Sequence, residues 1–574
     1  FSICGDNIYS KELKYSGKIE RTYISPLRIV WQSAHSKIIN AESLLENGIH
    51  QASLINSDVC ILGNQDKNAS VVLDFGKEIH GGLEIVTGMS PSNQPVRVRI
   101  RFGESVSEAM AETNEKTGAT NDHAIRDWRI ELPWLGKIEI GNTGFRFVRI
   151  DLLEDDSDLH LKEVNAISVM RDIPYLGSFR SSDSRLNKIW DTGAYTVHLN
   201  MQEYLWDGIK RDRLVWVGDM HPEVMTILSV FGDNEVVPKS LDFIAEITPS
   251  DQWMNGISSY SMWWLLIHHQ YYMNTGNIEY LRENKKYIFE LLAKLESKID
   301  ENGKEMLDGN RFLDWPTSED QKAIHAGLQS MMVMTFNAAK EIAGFLDESR
   351  KAKHYDNVLK KLNAYKFEIP TRKSPGALMV LAGIADAKTV NDQLLTEGGV
   401  KDMSTFYGYY VLNAMAKAGN IQGAMEFIDE YWGGMLDLGA TTFWEDFNIE
   451  WKENAGRIDE VVAKDKVDVH ATYGDYCYQK FRHSLCHGWA SGPTAWLSQY
   501  VLGINIVAPG CKVVKINPYL GKLDWVEGTY PTPKGTIRVR HEKQTNGTII
   551  SDVKMPHGIK LIKGANIMLL RQTN

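Results

Sequence analysis

Three successive stretches of the chain differ in the spacing of their apolar residues, and their order constrains the fold more than any other feature. Up to about residue 172 apolar and polar residues alternate, as in Val96–Phe102 (VRVRIRF) and Phe145–Leu152 (FRFVRIDL), which predicts antiparallel strands. From Asp183 to about Tyr500 apolar residues recur three and four positions apart, which predicts amphipathic helices. After about Gly503 the alternation returns.

The helical stretch consists of pairs of helices joined by short breaks. Ser258–Asn274 (SSYSMWWLLIHHQYYMN) and Ile278–Asp300 (IEYLRENKKYIFELLAKLESKID) form one such pair around a Thr-Gly-Asn break. Similar pairs recur without a fixed period. This irregularity favours a closed toroid of helical hairpins over an open solenoid.

A chain of 574 residues is long enough for several domains of about 100–200 residues each. We predict an N-terminal antiparallel β-sandwich over residues 1–174, a helical domain over 175–504 and a small C-terminal β domain over 505–574. The turn-rich segment Met89–Pro95 (MSPSNQP) fits a loop between strands of the sandwich.

The charge of the chain excludes several classes of partner. The net charge is −11, from 74 acidic and 63 basic residues, whereas nucleic acids and anionic membranes require a basic surface. No apolar run is long enough to predict a membrane span. The cysteines are odd in number and widely spaced, which predicts neither a disulfide framework nor a zinc site: Cys4, Cys60, Cys477, Cys486 and Cys511.

Tryptophan is unusually frequent, with 16 in the chain, of which 12 lie in the helical stretch. Most large aromatic residues on helices pack in the core. Indole rings also cover the apolar faces of sugars, so the tryptophans that lie beside charged residues in non-helical segments point to a carbohydrate site.

Common nucleotide, cofactor and hydrolase motifs are missing from the sequence. It has no GxxxxGK[ST], no strand-associated GxGxxG, no HExxH and no GxSxG, so we predict no cofactor and no catalytic metal. His221, His268 and His269 lack the spacing of metal ligands and are interpreted as structural.

The segment Trp206–Asp219 is the densest in reactive side chains and has no apolar period. One interpretation is a solvated run of charges. Solvated runs rarely contain tryptophan, however, which favours a functional loop. Within 14 residues it holds three carboxylates, three cations and two indoles: Asp207, Asp212, Asp219, Lys210, Arg211, Arg213, Trp206 and Trp216.

Two later segments have similar features. Thr441–Phe447 (TTFWEDF) places a carboxylate among aromatic residues, and Cys486–Pro493 (CHGWASGP) combines a histidine, a tryptophan and small residues. Two carboxylates from separate loops suit glycoside hydrolysis, in which one carboxyl group protonates the leaving oxygen and the other activates a water.

These segments resemble the α-L-rhamnosidases of glycoside hydrolase family 78. DGIKRDRLVWVGD (Asp207–Asp219) is similar to the family signature D-x-x-x-R-E-R-x-x-W-x-G-D. GATTFWEDF (Gly439–Phe447) and SLCHGWASGP (Ser484–Pro493) resemble two further family segments. LDFGKEIHGGLEI (Leu73–Ile85) and FRFVRI (Phe145–Ile150) look like the β-sandwich that precedes the catalytic domain in the family.

The resemblance implies an (α/α)6 barrel flanked by β domains, and an inverting exo-hydrolase that releases terminal α-L-rhamnose or a close deoxy sugar from oligosaccharides, polysaccharides or glycosides. By position, Glu445 is the general base and Asp212 stands at the general acid position. Asp207, Arg211, Trp216, Asp219 and His487 are expected to contact the sugar, and their positions in the sequence add Trp315 and Trp444. A carbohydrate is the only partner predicted, and a secreted or periplasmic location is favoured over a cytoplasmic one.

The acid position departs from the family, which has glutamate where this chain has the shorter Asp212. Neighbouring arginines lower the pKa of a carboxyl group, while burial against Trp216 raises it. Glu223 or Glu319 could supply the proton instead. Two alternative functions follow, a related enzyme with a changed sugar specificity and a catalytically silent carbohydrate-binding relative. The presence of Glu445 argues against the silent relative.

Overall fold

The structure, a computed structural model, describes residues 17–55, 57–65 and 67–573, so that Cys4 lies outside it. An antiparallel sheet forms its N-terminal part. Its strands run in the order β3-β4-β9-β5-β8-β6-β7, with β1 beside β9 and β2 beside β5. The strands are β1 Ile19–Ile24, β2 Arg28–Gln32, β3 Lys37–Ile39, β4 Cys60–Gly63, β5 Ser70–Thr87, β6 Val96–Gly103, β7 Asp127–Leu132, β8 Gly136–Leu152 and β9 Leu159–Arg171, with helix α1 Val106–Met110 after β6.

The long strand β5 has different neighbours along its two halves. Its first half pairs with β2, and after a register shift between Asp74 and Ile79 its second half pairs with β9. Gly81, with φ of 146°, lies near this bend, and a Cβ there would lie 1.9 Å from the Ile167 carbonyl oxygen. Residues from both halves of β5, including Leu73 and Leu83, are fully buried in the same apolar cluster.

Helices occupy most of the chain between residues 184 and 496. They are α2 Ser184–Asn200, α3 Met220–Val230, α4 Val236–Ile247, α5 Ser258–Thr275, α6 Ile278–Glu283, α7 Lys285–Glu296, α8 Gln321–Phe345, α9 Ser349–Ala364, α10 Lys373–Leu381, α11 Ala387–Val390, α12 Gly408–Lys417, α13 Ile421–Phe427, α14 Gly433–Asp437, α15 Val469–Thr472 and α16 Gly492–Trp496. Within residues 17–55, 57–65 and 67–573, no helix has the length and apolar character of a membrane span.

The predicted break between the first pair of helices is confirmed in detail. Gly276, at φ 66°, ends α5, and its N–H donates to the Tyr272 carbonyl. The Asn277 side chain then accepts the Tyr280 N–H and caps α6. The predicted second helix is split, because Asn284 ends α6 by donating to the Tyr280 carbonyl and α7 begins at the next residue.

Tryptophans fill much of the helical core. The largest side chains with under 2 % exposure in this region include Trp190, Trp263, Trp264, Trp432 and Trp496. Fully burying such a ring stabilises the fold by several kcal/mol, on the order of 25 cal/mol for each Å² of apolar area. Packing therefore explains many of the tryptophans, as the sequence predicts.

The C-terminal part contains a five-stranded sheet and a three-stranded sheet. Strand β10, Ser178–Ser181, pairs with β13, so the chain contributes to the C-terminal sheet before it enters the helices. The domain limits at residues 174 and 504 stay predictions. The remaining strands are β11 Ile504–Ala508, β12 Val513–Ile516, β13 Trp525–Thr532, β14 Gly535–Lys543, β15 Ile549–Lys554, β16 Lys560–Lys563 and β17 Leu569–Thr573.

A buried lysine joins the N-terminal domain to the helical domain. Lys210 Nζ lies 3.0 Å from Glu104 Oε2 and 3.3 Å from Glu108 Oε1, both carried by the N-terminal domain. It also donates to the carbonyl oxygens of Phe481 and His483, each at 2.8 Å. Burial alone lowers the pKa of Lys210, but the two glutamates outweigh burial and raise it. The lysine is therefore charged and contacts two distant chain segments at once.

We predict that Lys210→Met destabilises the protein. Removing one partner of a buried ion pair leaves an uncompensated charge and costs about 3–5 kcal/mol. The control is Lys388→Met, because the Lys388–Asp392 pair is exposed and such pairs contribute about 0–1 kcal/mol. Calorimetry should show the thermal midpoint several degrees lower in Lys210→Met than in Lys388→Met. Equal midpoints would contradict the proposed docking role.

Candidate active site

The segment Trp206–Asp219 forms the loop between α2 and α3. Asp212 and Arg213 have left-handed backbones, with φ of 54° and 60°, which costs a non-glycine residue about 1–3 kcal/mol. The Arg213 guanidinium donates to Asn142 at 2.9 and 3.0 Å, and the Asp212 N–H donates to His123 Nδ1 at 3.2 Å. Two residues of the N-terminal domain therefore fix this loop.

Backbone hydrogen bonds bring the three motifs of the sequence together. The Glu445 N–H donates to the Ser484 carbonyl at 3.0 Å, and the Gly488 N–H donates to the Asp207 carbonyl at 2.8 Å. The segment that contains Ser484 and Gly488 therefore lies between the other two motifs. Loops that are far apart in the sequence thus form one site.

A cavity of about 240 Å³, which we call the inner cavity, opens beside these loops. Three carboxylates and several aromatic rings form its wall, which combines hydrogen-bond acceptors with apolar surfaces. It is lined by Asp207, Asp212, Trp216, Asp219, Ile257, Tyr260, Asn310, Phe312, Trp315, Cys477, Tyr478, His487 and Trp489.

Glu445 lies behind the inner cavity and is buried. Arg211 Nη2 donates to both of its carboxylate oxygens, at 2.6 and 2.8 Å, and the Ser484 N–H donates to Oε2 at 3.2 Å. Burial alone raises the pKa of Glu445, but the charges of Arg211 and His487 outweigh it and hold the pKa below its ordinary value. Glu445 is therefore ionised at neutral pH.

Asp212 lines the inner cavity and shares Arg211 with Glu445. Its Oδ1 accepts a hydrogen bond from Arg211 Nη1 at 3.2 Å, and its Oδ2 accepts the Trp216 indole N–H at 3.1 Å. The Arg211 guanidinium also lies over the Tyr478 ring, 4.1 Å from its centroid. One guanidinium thus contacts both predicted catalytic carboxylates.

His487 connects Asp219 to Glu445. Its Nε2 lies 3.1 Å from Asp219 Oδ2, and its Nδ1 lies 3.7 Å from Glu445 Oε1. Burial alone lowers the pKa of His487, but the two carboxylates outweigh it and raise the pKa to about 8. Tyr260 donates to the other oxygen of Asp219 at 2.7 Å. At neutral pH the histidine is therefore mostly protonated and donates to Asp219.

The two alternative acids named from the sequence lie outside the inner cavity. Glu223 is 1 % exposed, and neither of its oxygens has a hydrogen-bond partner among the described residues. Burial, with Asp219 and Asp207 nearby, raises its pKa well above the ordinary value. A Cβ on Gly488 would lie 1.6 Å from Glu223 Oε1, so any larger residue there would require the Glu223 side chain to move. Glu319 lines a different cavity.

The predicted sugar-binding residues differ in their positions. Asp207, Trp216, Asp219, Trp315 and His487 line the inner cavity, and Arg211 contacts Glu445 beside it. Burial is the main cause of the raised pKa values of Asp207 and Asp219. Trp444 is 1 % exposed and packs edge-on against Phe447 and His483, away from the cavity. Its role in sugar binding stays a prediction.

Two tyrosines of the inner cavity, Tyr260 and Tyr478, were not predicted from the sequence. Tyr260 lies in the apolar helix α5, where it is indistinguishable from a core residue by its pattern. Tyr478 belongs to the segment Tyr473–Tyr478, which contains three tyrosines without a helical period. This pattern could have indicated an aromatic loop at the site.

Among the residues that the structure describes, two groups of side chains have the composition of a cation site. In the group Glu104, Glu108 and His470, the ammonium group of Lys210 already contacts both carboxylates. The other group, His50, Glu84 and Glu163, belongs to the N-terminal sheet domain. Neither group contributes a residue to the inner cavity.

Family models match three consecutive parts of the chain. Residues 41–167 match the glycosyl hydrolase family 78 alpha-rhamnosidase N-terminal domain. Residues 174–368 match the bacterial alpha-L-rhamnosidase 6 hairpin glycosidase domain, and residues 503–562 match the bacterial alpha-L-rhamnosidase C-terminal domain.

Individual relatives agree with these models. An alpha-L-rhamnosidase of Alteromonas sp. (strain LOR) is 24 % identical over 562 residues, which cover 88 % of this chain and 57 % of the relative. The GH78 rhamnosidase of Bacillus sp. GL1 superposes with a TM-score of 0.74 at 21 % identity, over 93 % of this chain and 56 % of that one. A Klebsiella oxytoca rhamnosidase with rhamnose bound gives 0.65 at 18 % identity, over 85 % and 97 %.

The chain thus spans little more than half the length of the Alteromonas and Bacillus relatives. The predicted fold class is confirmed, with a helical domain between an N-terminal antiparallel sheet domain and a small C-terminal sheet domain. The three models match in order along the chain, and the chain belongs to glycoside hydrolase family 78.

Proposed function

We propose that this chain is an inverting exo-glycosidase that releases terminal α-L-rhamnose or a close deoxy sugar. The observation that carries the proposal is the contact of one guanidinium, Arg211, with both Glu445 and Asp212 beside the inner cavity. The relatives add support, since the Alteromonas protein is named an alpha-L-rhamnosidase and the Klebsiella structure holds rhamnose.

Glu445 suits the role of general base. Inversion requires an ionised carboxylate that takes a proton from the attacking water, and Arg211 and His487 favour the ionised form of Glu445. His487 lines the inner cavity and lies 3.7 Å from Glu445. We place the attacking water beside this contact.

Asp212 suits the role of general acid because it lines the inner cavity, where the glycosidic oxygen would lie. The Trp216 indole fixes one of its oxygens at 3.1 Å, which orients the carboxyl group. Arg211 contacts Asp212 through Nη1 and Glu445 through Nη2, and an inverting enzyme needs room for a water between its two carboxyl groups.

The walls of the inner cavity suit a 6-deoxy sugar. Asp207 and Asp219 offer oxygens that accept hydrogen bonds from hydroxyl groups, while Trp216, Phe312 and Trp315 offer apolar surface to a methyl group. The inner cavity has a volume of about 240 Å³. Sites for drug-sized ligands are larger, at roughly 300–1,000 Å³. This size supports the binding of one terminal sugar residue.

Incubation with an aryl α-L-rhamnoside tests the reaction directly. Because water attacks the face opposite the leaving group, we expect the first product observed by proton NMR to be β-L-rhamnose. The α anomer as the first product would exclude inversion. An absence of any release would contradict the rhamnosidase proposal itself.

We predict that Glu445→Gln loses about 10²- to 10⁴-fold in kcat, because glutamine cannot accept a proton from water. The matched control is Glu450→Gln, which removes an exposed carboxylate of the same type that pairs with Lys401. Circular dichroism should show both variants folded. A kcat in Glu445→Gln equal to that of the control would remove Glu445 from the mechanism.

The pH dependence of kcat/KM tests His487. Its pKa of about 8 lies above the ordinary 6.5, so the proton is present below pH 8 and lost above it. Loss of the proton leaves the ring with one N–H and removes the positive charge between Asp219 and Glu445, so we expect kcat/KM to fall as pH rises through about 8. His487→Asn should abolish this alkaline limb. A limb at the same pH in the variant would assign it to another group.

A further inference from the structure

A second and larger cavity adjoins the inner one. This outer cavity, of about 510 Å³, shares Trp315 with the inner cavity. The segment Asp475–Gln479 contributes residues to both cavities. The volume falls within the about 300–1,000 Å³ of pockets that hold small molecules. A ligand that extends out of the inner cavity past Trp315 would therefore enter the outer cavity.

Aromatic rings meet at the junction of the two cavities. Tyr476 stacks on Trp315 with ring centroids 5.0 Å apart and an interplanar angle of 21°. Tyr478, which lines the inner cavity, meets Trp315 edge-on at 5.6 Å. Rings of this kind cover the C–H faces of sugars.

The residue that follows the proposed general base in the sequence lines the outer cavity. Glu445 contacts Arg211 on the side of the inner cavity, whereas the adjacent residue, Asp446, lines the outer cavity. Burial, with Asp475 and Glu445 nearby, raises the pKa of Asp446 to about 7. The outer cavity therefore begins one residue away from the proposed chemistry.

Four carboxylates and one guanidinium line the outer cavity: Glu319, Asp402, Asp446, Asp475 and Arg372. In the part of the chain that the structure describes, none of the five forms an ion pair within 4.0 Å. Carboxylates without a cation are strong acceptors for hydroxyl groups. The excess of negative charge also repels an anionic ligand.

We propose that the outer cavity binds the neutral sugar to which the cleaved residue is attached, and that its carboxylates disfavour a uronic acid at that position. This specificity rests on the proposed function, because the outer cavity receives the part of the substrate that leaves.

Two disaccharides with the same linkage test the proposal. We compare kcat/KM for an α-L-rhamnosyl-(1→4)-glucose with that for an α-L-rhamnosyl-(1→4)-glucuronate, and expect the neutral substrate to be preferred roughly tenfold. Each exposed carboxylate removed from the cavity should reduce this ratio roughly threefold at low ionic strength. The test variant is Asp402→Asn/Asp475→Asn. The control, Asp251→Asn/Asp347→Asn, removes the same charge at residues that do not line the outer cavity.

The possible outcomes separate the two proposals. A lower neutral-to-uronate ratio in the test variant alone supports the outer cavity as the specificity site. Equal or better hydrolysis of the uronate by the unmodified protein, the same change in both double variants, or cleavage of aryl rhamnoside but of neither disaccharide would overturn it. No release from aryl rhamnoside or from either disaccharide would instead refute the proposed function.

Discussion

Two adjacent cations, Lys210 and Arg211, connect the architecture of this protein to its candidate active site. Lys210 contacts Glu104 and Glu108 of the N-terminal domain, while Arg211 contacts Glu445 behind the inner cavity. Buried ion pairs add little net stability compared with apolar packing, yet removal of one partner is costly. We infer that these ion pairs fix the position of the loop that carries Lys210 and Arg211. Docking of the N-terminal domain therefore also positions Arg211 against Glu445, the proposed base.

Different surroundings separate the roles of the acidic groups in the site. Burial raises the pKa of Asp207 and Asp219, whereas Arg211 and His487 outweigh burial at Glu445 and lower its pKa. Pairs of titratable groups whose pKa values are driven apart are typical of acid–base catalysis. The proposed base is thus the carboxylate with the closest guanidinium, and its neighbours remain available to bind hydroxyl groups.

Sequence patterns predicted the order of sheet and helix and the three motifs that form the site, because alternation and dense charge are local properties. They could not show that Glu445 and the adjacent Asp446 face different surroundings, since this depends on the packing of distant loops. Tyr260 looked like a core residue because α5 is apolar on all sides. Trp444 was expected near the sugar, but the residues around it in the sequence could not show whether its ring lines the cavity or packs in the core behind it.

The charge state of Glu445 is the central claim, and carbon-13 NMR of the protein labelled at glutamate carboxyl carbons measures it directly. Comparison with Glu445→Gln identifies the resonance, which is then followed through a pH titration. We predict a pKa below the ordinary 4.5, because Arg211 stabilises the ionised form. A pKa well above 7 would show that Glu445 holds its proton at neutral pH, and would contradict its role as the base.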